Sequence, residues 1–256
     1  MAILKHNNGE IYYSVVGRGE SIIFIHGFGL DSRMWRPQVE ELSKTHQVIA
    51  YDLRGFGRSS LPIAVYSHVD DLNALIGHLG VSVVALVGHS FGGEIALNYT
   101  IKYPEKIKNL FLIASSLSGY PFENILWEKL MELGKDSNIH EIKKRLLNHE
   151  IFDSLEDKAE VTNRVKRILK DYSCWHFLNK DLKKVEESDS MSQLEQIDIP
   201  VSIIIGEEDV KAQKEIAKIL DKNLSKSTLN SIKDAGHMVN LEEPEKVSNI
   251  INKGVI

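Results

Sequence analysis

The sequence predicts an α/β protein: a mostly parallel β-sheet covered by helices on both faces and interrupted by one helical insertion. Three observations predict it. Short apolar runs rich in β-branched residues recur along the chain, and segments with apolar residues at three- and four-residue steps separate them. That alternation stops after Ser118 and resumes near Ile197. With 256 residues, 43% hydrophobic and 26% charged, the chain has room for one large domain carrying an insertion, and it is composed like a folded globular protein.

The elements follow in order. Glu10 to Val16 and Ser21 to Ile25 read as early hairpin strands at the sheet edge, punctuated by Gly17-Arg18-Gly19. Val48 to Tyr51, Val83 to Val87, Leu110 to Ile113 and Val201 to Ile205 are brief continuous apolar runs, the pattern of strands buried on both faces. Val65, Val69, Leu72, Leu75, Ile76 and Leu79 recur at helical steps. A second helix, Glu94 to Lys102, stops at Tyr103-Pro104, because proline cannot continue it.

From Gly119 to about Ser190 the chain is rich in lysine and glutamate, with helical spacing (Leu126, Leu130, Leu133; Ile142, Leu146; Val161, Val165, Ile168, Leu169) and no clear strand. The expected organisation is a core of residues 1–118 and 191–256 with a helical cap at 119–190, entered through Tyr120-Pro121. Lys183-Lys184 and Glu186-Glu187 read as a solvated face.

Charge and cysteine usage narrow the function classes. The net charge of −5 argues against a nucleic-acid footprint. No apolar run reaches the roughly 20 residues that cross a bilayer, and the first ten residues reach a charge and a turn without a signal-peptide core. Cys174 is the sole cysteine, so no intrachain disulfide forms, which suits a reducing compartment. The expectation is a cytoplasmic protein with neither membrane nor nucleic acid as partner. Oligomeric state leaves no mark on the sequence.

Chemistry concentrates in three places. Val84 to Val87, then Gly88-His89-Ser90-Phe91-Gly92, then a helix start form a strand, a Gly-x-Ser-x-Gly turn and a helix. Such a turn needs small residues flanking the serine, and it lifts the Ser90 hydroxyl above the sheet's C-terminal edge beside a helix N-terminus. A serine needs a base, itself oriented by a third group. Among ten histidines, His237 is the preferred base because Gly236 leads it into a loop just past the last strand-like segment. His6, His46, His68, His78, His140 and His149 read as solvated, His89 as pointing away from its neighbour Ser90, and His176 as structural. Glu207, Glu208 and Asp209 compete for the acid after the Ile203 to Ile205 run. Asp209 is preferred, with Glu208 next, in the chain order serine, acid, histidine. The early loop His26-Gly27-Phe28-Gly29 supplies the Phe28 amide, which joins that of Phe91 as an oxyanion hole, with His26 as a structural hydrogen-bonder. No zinc-type His-Glu-x-x-His or cysteine cluster appears, Gly17-Arg18-Gly19 lacks the further glycine of a dinucleotide loop, and the chemistry calls for no metal or cofactor.

His26-Gly27-Phe28-Gly29, Asp52-Leu53-Arg54-Gly55-Phe56-Gly57-Arg58-Ser59, Gly88-His89-Ser90-Phe91-Gly92-Gly93, Gly206-Glu207-Glu208-Asp209 and Gly236-His237 with Glu242-Glu243-Pro244 together resemble the successive signatures of the α/β-hydrolase superfamily, in family order across nearly the whole chain. The resemblance implies an α/β-hydrolase fold with an eight-stranded core sheet, a helical cap after the sixth strand, and a structural role for Asp52 to Ser59. The sequence departs from the family where proline often follows the acid, since Val210-Lys211-Ala212-Gln213 has none. Ser90-Phe91 speaks against the aspartate-nucleophile dehalogenases and epoxide hydrolases and lacks the methionine common in perhydrolases. His89 replaces the asparagine frequent in carbon–carbon bond hydrolases.

The expected activity is a serine hydrolase acting on a small-molecule carboxylic ester, thioester or lactone, of the carboxylesterase kind. Phe122, Trp127, Leu130, Trp175 and Phe177 from the insertion, with Met238, are candidate apolar pocket residues. The alternative is a small-molecule receptor or signalling protein that keeps Ser90, Asp209 and His237 but turns over little. Repeated hydrolysis of a p-nitrophenyl ester, or a single stoichiometric release, separates the two.

Overall fold

The structure, a computed structural model, describes residues 2–122, 125–179 and 189–255. Eight strands form one sheet: β1 (Ala2–His6), β2 (Gly9–Val16), β3 (Ser21–Ile25), β4 (Gln47–Tyr51), β5 (Val84–His89), β6 (Ile107–Ile113), β7 (Val201–Gly206) and β8 (Ser227–Ile232). Their spatial order is β1-β2-β4-β3-β5-β6-β7-β8, parallel from β4 onward. The helices are α1 (Arg36–Leu42), α2 (His68–Leu79), α3 (Phe91–Lys102), α4 (Ile125–Lys135), α5 (Ile139–Leu147), α6 (Ala159–Asp171), α7 (Trp175–Leu178), α8 (Lys211–Asn223), α9 (Val239–Glu242) and α10 (Pro244–Val255).

The continuous apolar strands are apolar because both of their faces are buried. Successive side chains alternate across a strand. Ile23, Ile25, Leu86, Leu110, Leu112, Ile203 and Ile205 enter one core with residues of α2, α3 and α8. Phe24, Val87, Phe111, Ile113 and Ile204 enter the other, with Leu42 of α1 and Val247, Ile251 and Val255 of α10. The two helical layers thus hold the sheet rigid and leave its C-terminal edge to the loops, where α/β proteins build their sites.

Two early expectations need correction. β2 and β3 are not hairpin partners: the hairpin is β1 with β2, turning at Asn7 and Asn8 with φ of 44° and 57°. β4 lies between β2 and β3 and pairs with both. Gly17-Arg18-Gly19 therefore reverses the chain across the place that β4 fills, instead of joining neighbouring strands. The helix read from Val65 to Leu79 begins at His68, capped by the Ser67 side chain, which accepts from the Asp70 N–H at 3.1 Å, so Val65 lies outside it and is exposed.

Between β6 and β7 the described residues hold helices and connecting loops and no strand, with 3₁₀ turns at Glu150–Leu155 and Met191–Gln196. Val165, Ile168 and Leu169 of α6 join one core; Leu130 of α4, Ile142 of α5 and Phe177 of α7 join the other. Arg33 Nη1 donates to Asp171 at 2.7 Å, fastening the end of α6 to the turn after β3. Lys183-Lys184 and Glu186-Glu187 lie outside the described residues.

Candidate active site

β5 ends at His89 and α3 begins at Phe91, so Ser90 makes the whole turn. It does so at φ 52°, ψ −118°, a conformation costing roughly 1–3 kcal/mol that only surrounding contacts sustain. Those contacts are on its own backbone: its N–H donates to the Ile113 carbonyl at 3.0 Å, and its carbonyl accepts from Gly93 and Ser116 at 2.9 and 3.0 Å. The flanking glycines are steric necessities. A Cβ at Gly88 would stand 2.4 Å from the Gly92 carbonyl oxygen, and one at Gly92 would stand 2.3 Å from that of Ile25.

The acid arrives at the end of β7. Gly206 leads into a loop pinned to the next strand and the histidine loop, with Glu207 and Glu208 N–H groups donating to Ile232 and Ala235 carbonyls at 2.9 Å each. Glu207 and Glu208 are exposed, whereas Asp209 is buried. Both Asp209 carboxylate oxygens lie 3.2 Å from His237 Nδ1, and one accepts from the Val210 N–H at 2.8 Å. Val210 holds φ −60° without the proline whose absence marked this loop, and α8 starts after it.

His237 is held from two further sides. The Gly236 N–H donates to the Glu242 carboxylate at 3.1 Å; that carboxylate is buried and paired with Lys158 at 2.7 Å, ahead of α6. On the other side His89 Nε2 lies 2.8 Å from the His237 carbonyl, which can only accept, so His89 is the donor. The two rings stand 4.9 Å apart. Burial, first of all, lowers the His89 pKa to about 3, with the nearby His237 adding to it, so His89 is neutral. His89 thus turns its ring to the histidine loop and sits inside the site.

Ser90 and His237 line one cavity of about 190 Å³. Gly27, Phe28, Leu30, His89 and Met238 form its core side; Leu126, Trp127, Leu130, Leu146, His149, Ile151, Phe152 and Leu169 form the side from the insertion. Among the described residues no hydrogen bond joins the Ser90 hydroxyl to His237. The Phe28 N–H, in the turn closed by Leu30 N–H to Gly27 carbonyl at 3.2 Å, has no acceptor among the described residues. Phe91 opens α3, which puts its N–H at the helix N-terminus, though its side chain is not in the cavity wall.

Of the candidate pocket residues, Trp127, Leu130 and Met238 line the cavity, and Trp127 meets Phe28 edge-on at 4.7 Å. Phe122, Trp175 and Phe177 are not in its lining. Phe122 is exposed beside Tyr120, Trp175 packs toward Tyr66, and Phe177 is buried behind Trp127. Helical spacing identified a buried face but not which neighbour buries it.

The histidines need correction too. His46 and His68 are buried, and His149 is half-buried in the cavity wall, where burial foremost lowers its pKa. His176 stacks on Phe56 at 4.3 Å and its Nδ1 meets the Tyr172 hydroxyl at 2.9 Å. His26 bonds the Gly27 carbonyl through Nδ1 at 2.8 Å and accepts the Leu53 N–H at 2.9 Å. The early arginines are structural: Arg54 makes a buried two-point pair with Asp71, and Arg58 covers the Tyr12 ring.

The family model described as the α/β hydrolase fold matches residues 20–244. The chain belongs to that family. Its relatives include the uncharacterized hydrolase YugF of Bacillus subtilis, 29% identical and covering 93% of this chain and 90% of the relative, and 3-oxoadipate enol-lactonase 2 of Acinetobacter baylyi, 25% identical with coverage of 93% and 90%. Among solved structures, a thermophilic esterase from Thermogutta terrifontis is similar with a TM-score of 0.82 at 25% identity, covering 96% of this chain and 93% of the esterase. No helix among the described residues is long and apolar enough to cross a membrane.

Proposed function

We infer that this α/β hydrolase is a serine hydrolase that cleaves carboxylic esters, thioesters or lactones through an acyl-enzyme on Ser90. One observation carries the reading: a buried imidazole, held at 3.2 Å by a buried carboxylate, shares an apolar cavity with a serine fixed in a strained strand-to-helix turn. That arrangement costs backbone strain and a desolvated polar pair, and neither is needed to fold a sheet. The esterase and enol-lactonase among the relatives act on the same bond class, which supports it.

In this mechanism the Ser90 Oγ attacks the carbonyl carbon as His237 Nε2 takes its proton. The hydroxyl and the ring must close to hydrogen-bond distance as substrate binds, a common tightening from the unliganded state. Asp209 keeps the proton on Nδ1 and stabilises the imidazolium. The negative oxygen of the tetrahedral intermediate takes hydrogen bonds from the Phe28 amide in the loop after β3 and from the Phe91 amide at the N-terminus of α3. His237 then protonates the leaving alcohol or thiol, and the same imidazole activates the water that releases the acid from Ser90. Residues 119–190 act as the cap that closes the cavity and selects the acyl group, over a core of 1–118 and 191–256. The single buried thiol suits work in the cytoplasm.

Turnover of p-nitrophenyl butyrate tests the reading. Many turnovers per chain, abolished in Ser90→Ala and cut by several orders of magnitude in His237→Ala, are expected. A single stoichiometric release that does not continue would instead favour the receptor reading, and hydrolysis unchanged by Ser90→Ala would refute the acyl-enzyme.

A further inference from the structure

A second, larger concavity of about 740 Å³ opens on the insertion between α5, the 3₁₀ turn Glu150–Leu155 and α6. Its floor is apolar, made by Leu147, Phe152, Leu155 and Val165, and its rim carries Lys143, Lys144, Lys166 and Lys170 against two carboxylates, Asp153 and Glu156. This excess of cations is local, because the chain as a whole carries −5. The rim is also under-paired. Lys144 has Glu141 only at 3.9 Å across an exposed helix face, Lys143 donates to the Lys170 carbonyl at 2.5 Å, and neither Lys166 nor Lys170 has a carboxylate partner among the described residues. Lys166 and Lys170 stand one turn apart on α6, a mildly repulsive spacing, and with Arg167 they line an adjoining depression.

This groove and the active-site cavity share a wall. Phe152 lines both, and the neighbours Leu146 and Leu147 on α5, and Leu169 and Lys170 on α6, divide between them, the first of each pair facing the cavity and the second the groove. Phe152 is half-buried in a short 3₁₀ turn, its N–H bonded to the His149 carbonyl at 2.9 Å. An apolar floor separated from the Ser90 cavity by one aromatic ring, under a rim whose ammonium groups have no close carboxylate among the described residues, suits an amphiphile with its anionic end outermost. A cationic rim over low-dielectric walls raises the local concentration of such a molecule.

We propose that this groove is the entrance for anionic substrates, and that the favoured esters or thioesters carry a negatively charged group at the end remote from the scissile carbonyl. The inference rests on the reading of Ser90 as nucleophile, and a matched pair of substrates separates the two. The mono-p-nitrophenyl ester of sebacic acid and p-nitrophenyl decanoate have the same chain length and differ in the terminal carboxylate. At low ionic strength kcat/KM for the sebacate ester is expected to exceed that for the decanoate about tenfold or more, falling toward parity in 0.5 M NaCl, where exposed charges are screened. Lys166→Glu with Lys170→Glu should abolish the preference while leaving decanoate turnover within about twofold; the milder Lys166→Gln with Lys170→Gln should halve it or more. A preference that survives charge reversal, or its absence in the wild type while decanoate is hydrolysed, overturns the groove and leaves the hydrolase reading standing. If neither ester is hydrolysed the hydrolase reading falls, and calorimetric binding of dodecanoate to Ser90→Ala decides the groove. Weakening of at least fivefold on charge reversal supports it, and equal binding overturns it.

Discussion

Replacing His89 with leucine removes a single donor beneath the active site at nearly constant volume, and its consequences can be worked out with their sign. His89 is buried, and its Nε2–H donates to the His237 carbonyl at 2.8 Å. Without it that carbonyl loses its partner in a dry site, which costs about 1–3 kcal/mol. Acid changes the comparison. Burial holds the folded-state pKa at about 3, while the unfolded chain titrates near 6.5. Above pH 6.5 both states are neutral and the residue contributes no pH dependence. Between 6.5 and about 3 the unfolded state binds the extra proton, so wild-type stability falls by about 1.4 kcal/mol per pH unit on this account. Leucine has no such proton. Urea unfolding at pH 7.5, 6.0 and 5.0 should therefore show the variant less stable at pH 7.5, with the gap closing as the pH drops and vanishing one to two units below 6.5. His26, whose pKa burial also lowers, is common to both proteins and leaves the difference untouched. A gap that stays constant across this range would refute the buried neutral donor. At pH 7.5 the variant should also lose at least tenfold in kcat, because the loop carrying the base has lost an anchor.

Other outcomes follow from the same geometry. Asp209→Asn should lower kcat by about 10³–10⁴ with small effect on stability, whereas Glu208→Gln, at an exposed carboxylate, should stay within twofold; steady-state kinetics of both decides between the two acids. Arg54→Met leaves Asp71 buried without the guanidinium it meets at 2.6 and 2.8 Å, and should cost about 3–5 kcal/mol in urea unfolding while sparing the labelling of Ser90 in whatever remains folded. Glu242→Gln weakens the Lys158 pair and the Gly236 anchor together, so a drop in kcat larger than the change in KM is expected; unchanged kcat would separate that carboxylate from the site.

The sequence made the buried parts of this fold legible and its margins obscure, for physical reasons. β3 to β7 could be read because strands covered on both faces must be continuously apolar. β8, Ser-Thr-Leu-Asn-Ser-Ile, and β1 lie at the two edges with exposed positions, so neither carries that run. The link between β2 and β3 reads as a hairpin because it is short, glycine-rich and does reverse the chain; only the later insertion of β4 between the two strands keeps them from pairing. Residues 90, 209 and 237 stood out because glycine punctuation marks each. His89 did not, because its adjacency to Ser90 says only that it points elsewhere and not what it meets there. Strand alternation could have found it: Ala85 and Val87 face the core that holds Trp35 and Met238, and His89 shares their parity. Phe122 and Trp175 fell outside the cavity because spacing within the insertion fixes a helix's apolar face and not the surface it meets.

Whether Ser90 is an activated nucleophile is decided by stoichiometric labelling with a fluorophosphonate, read by intact mass. One adduct per chain is expected, mapped to Ser90, lost in Ser90→Ala and strongly slowed in His237→Ala. A wild-type protein that stays unlabelled, or a Ser90→Ala variant labelled as fast as wild type, would contradict it.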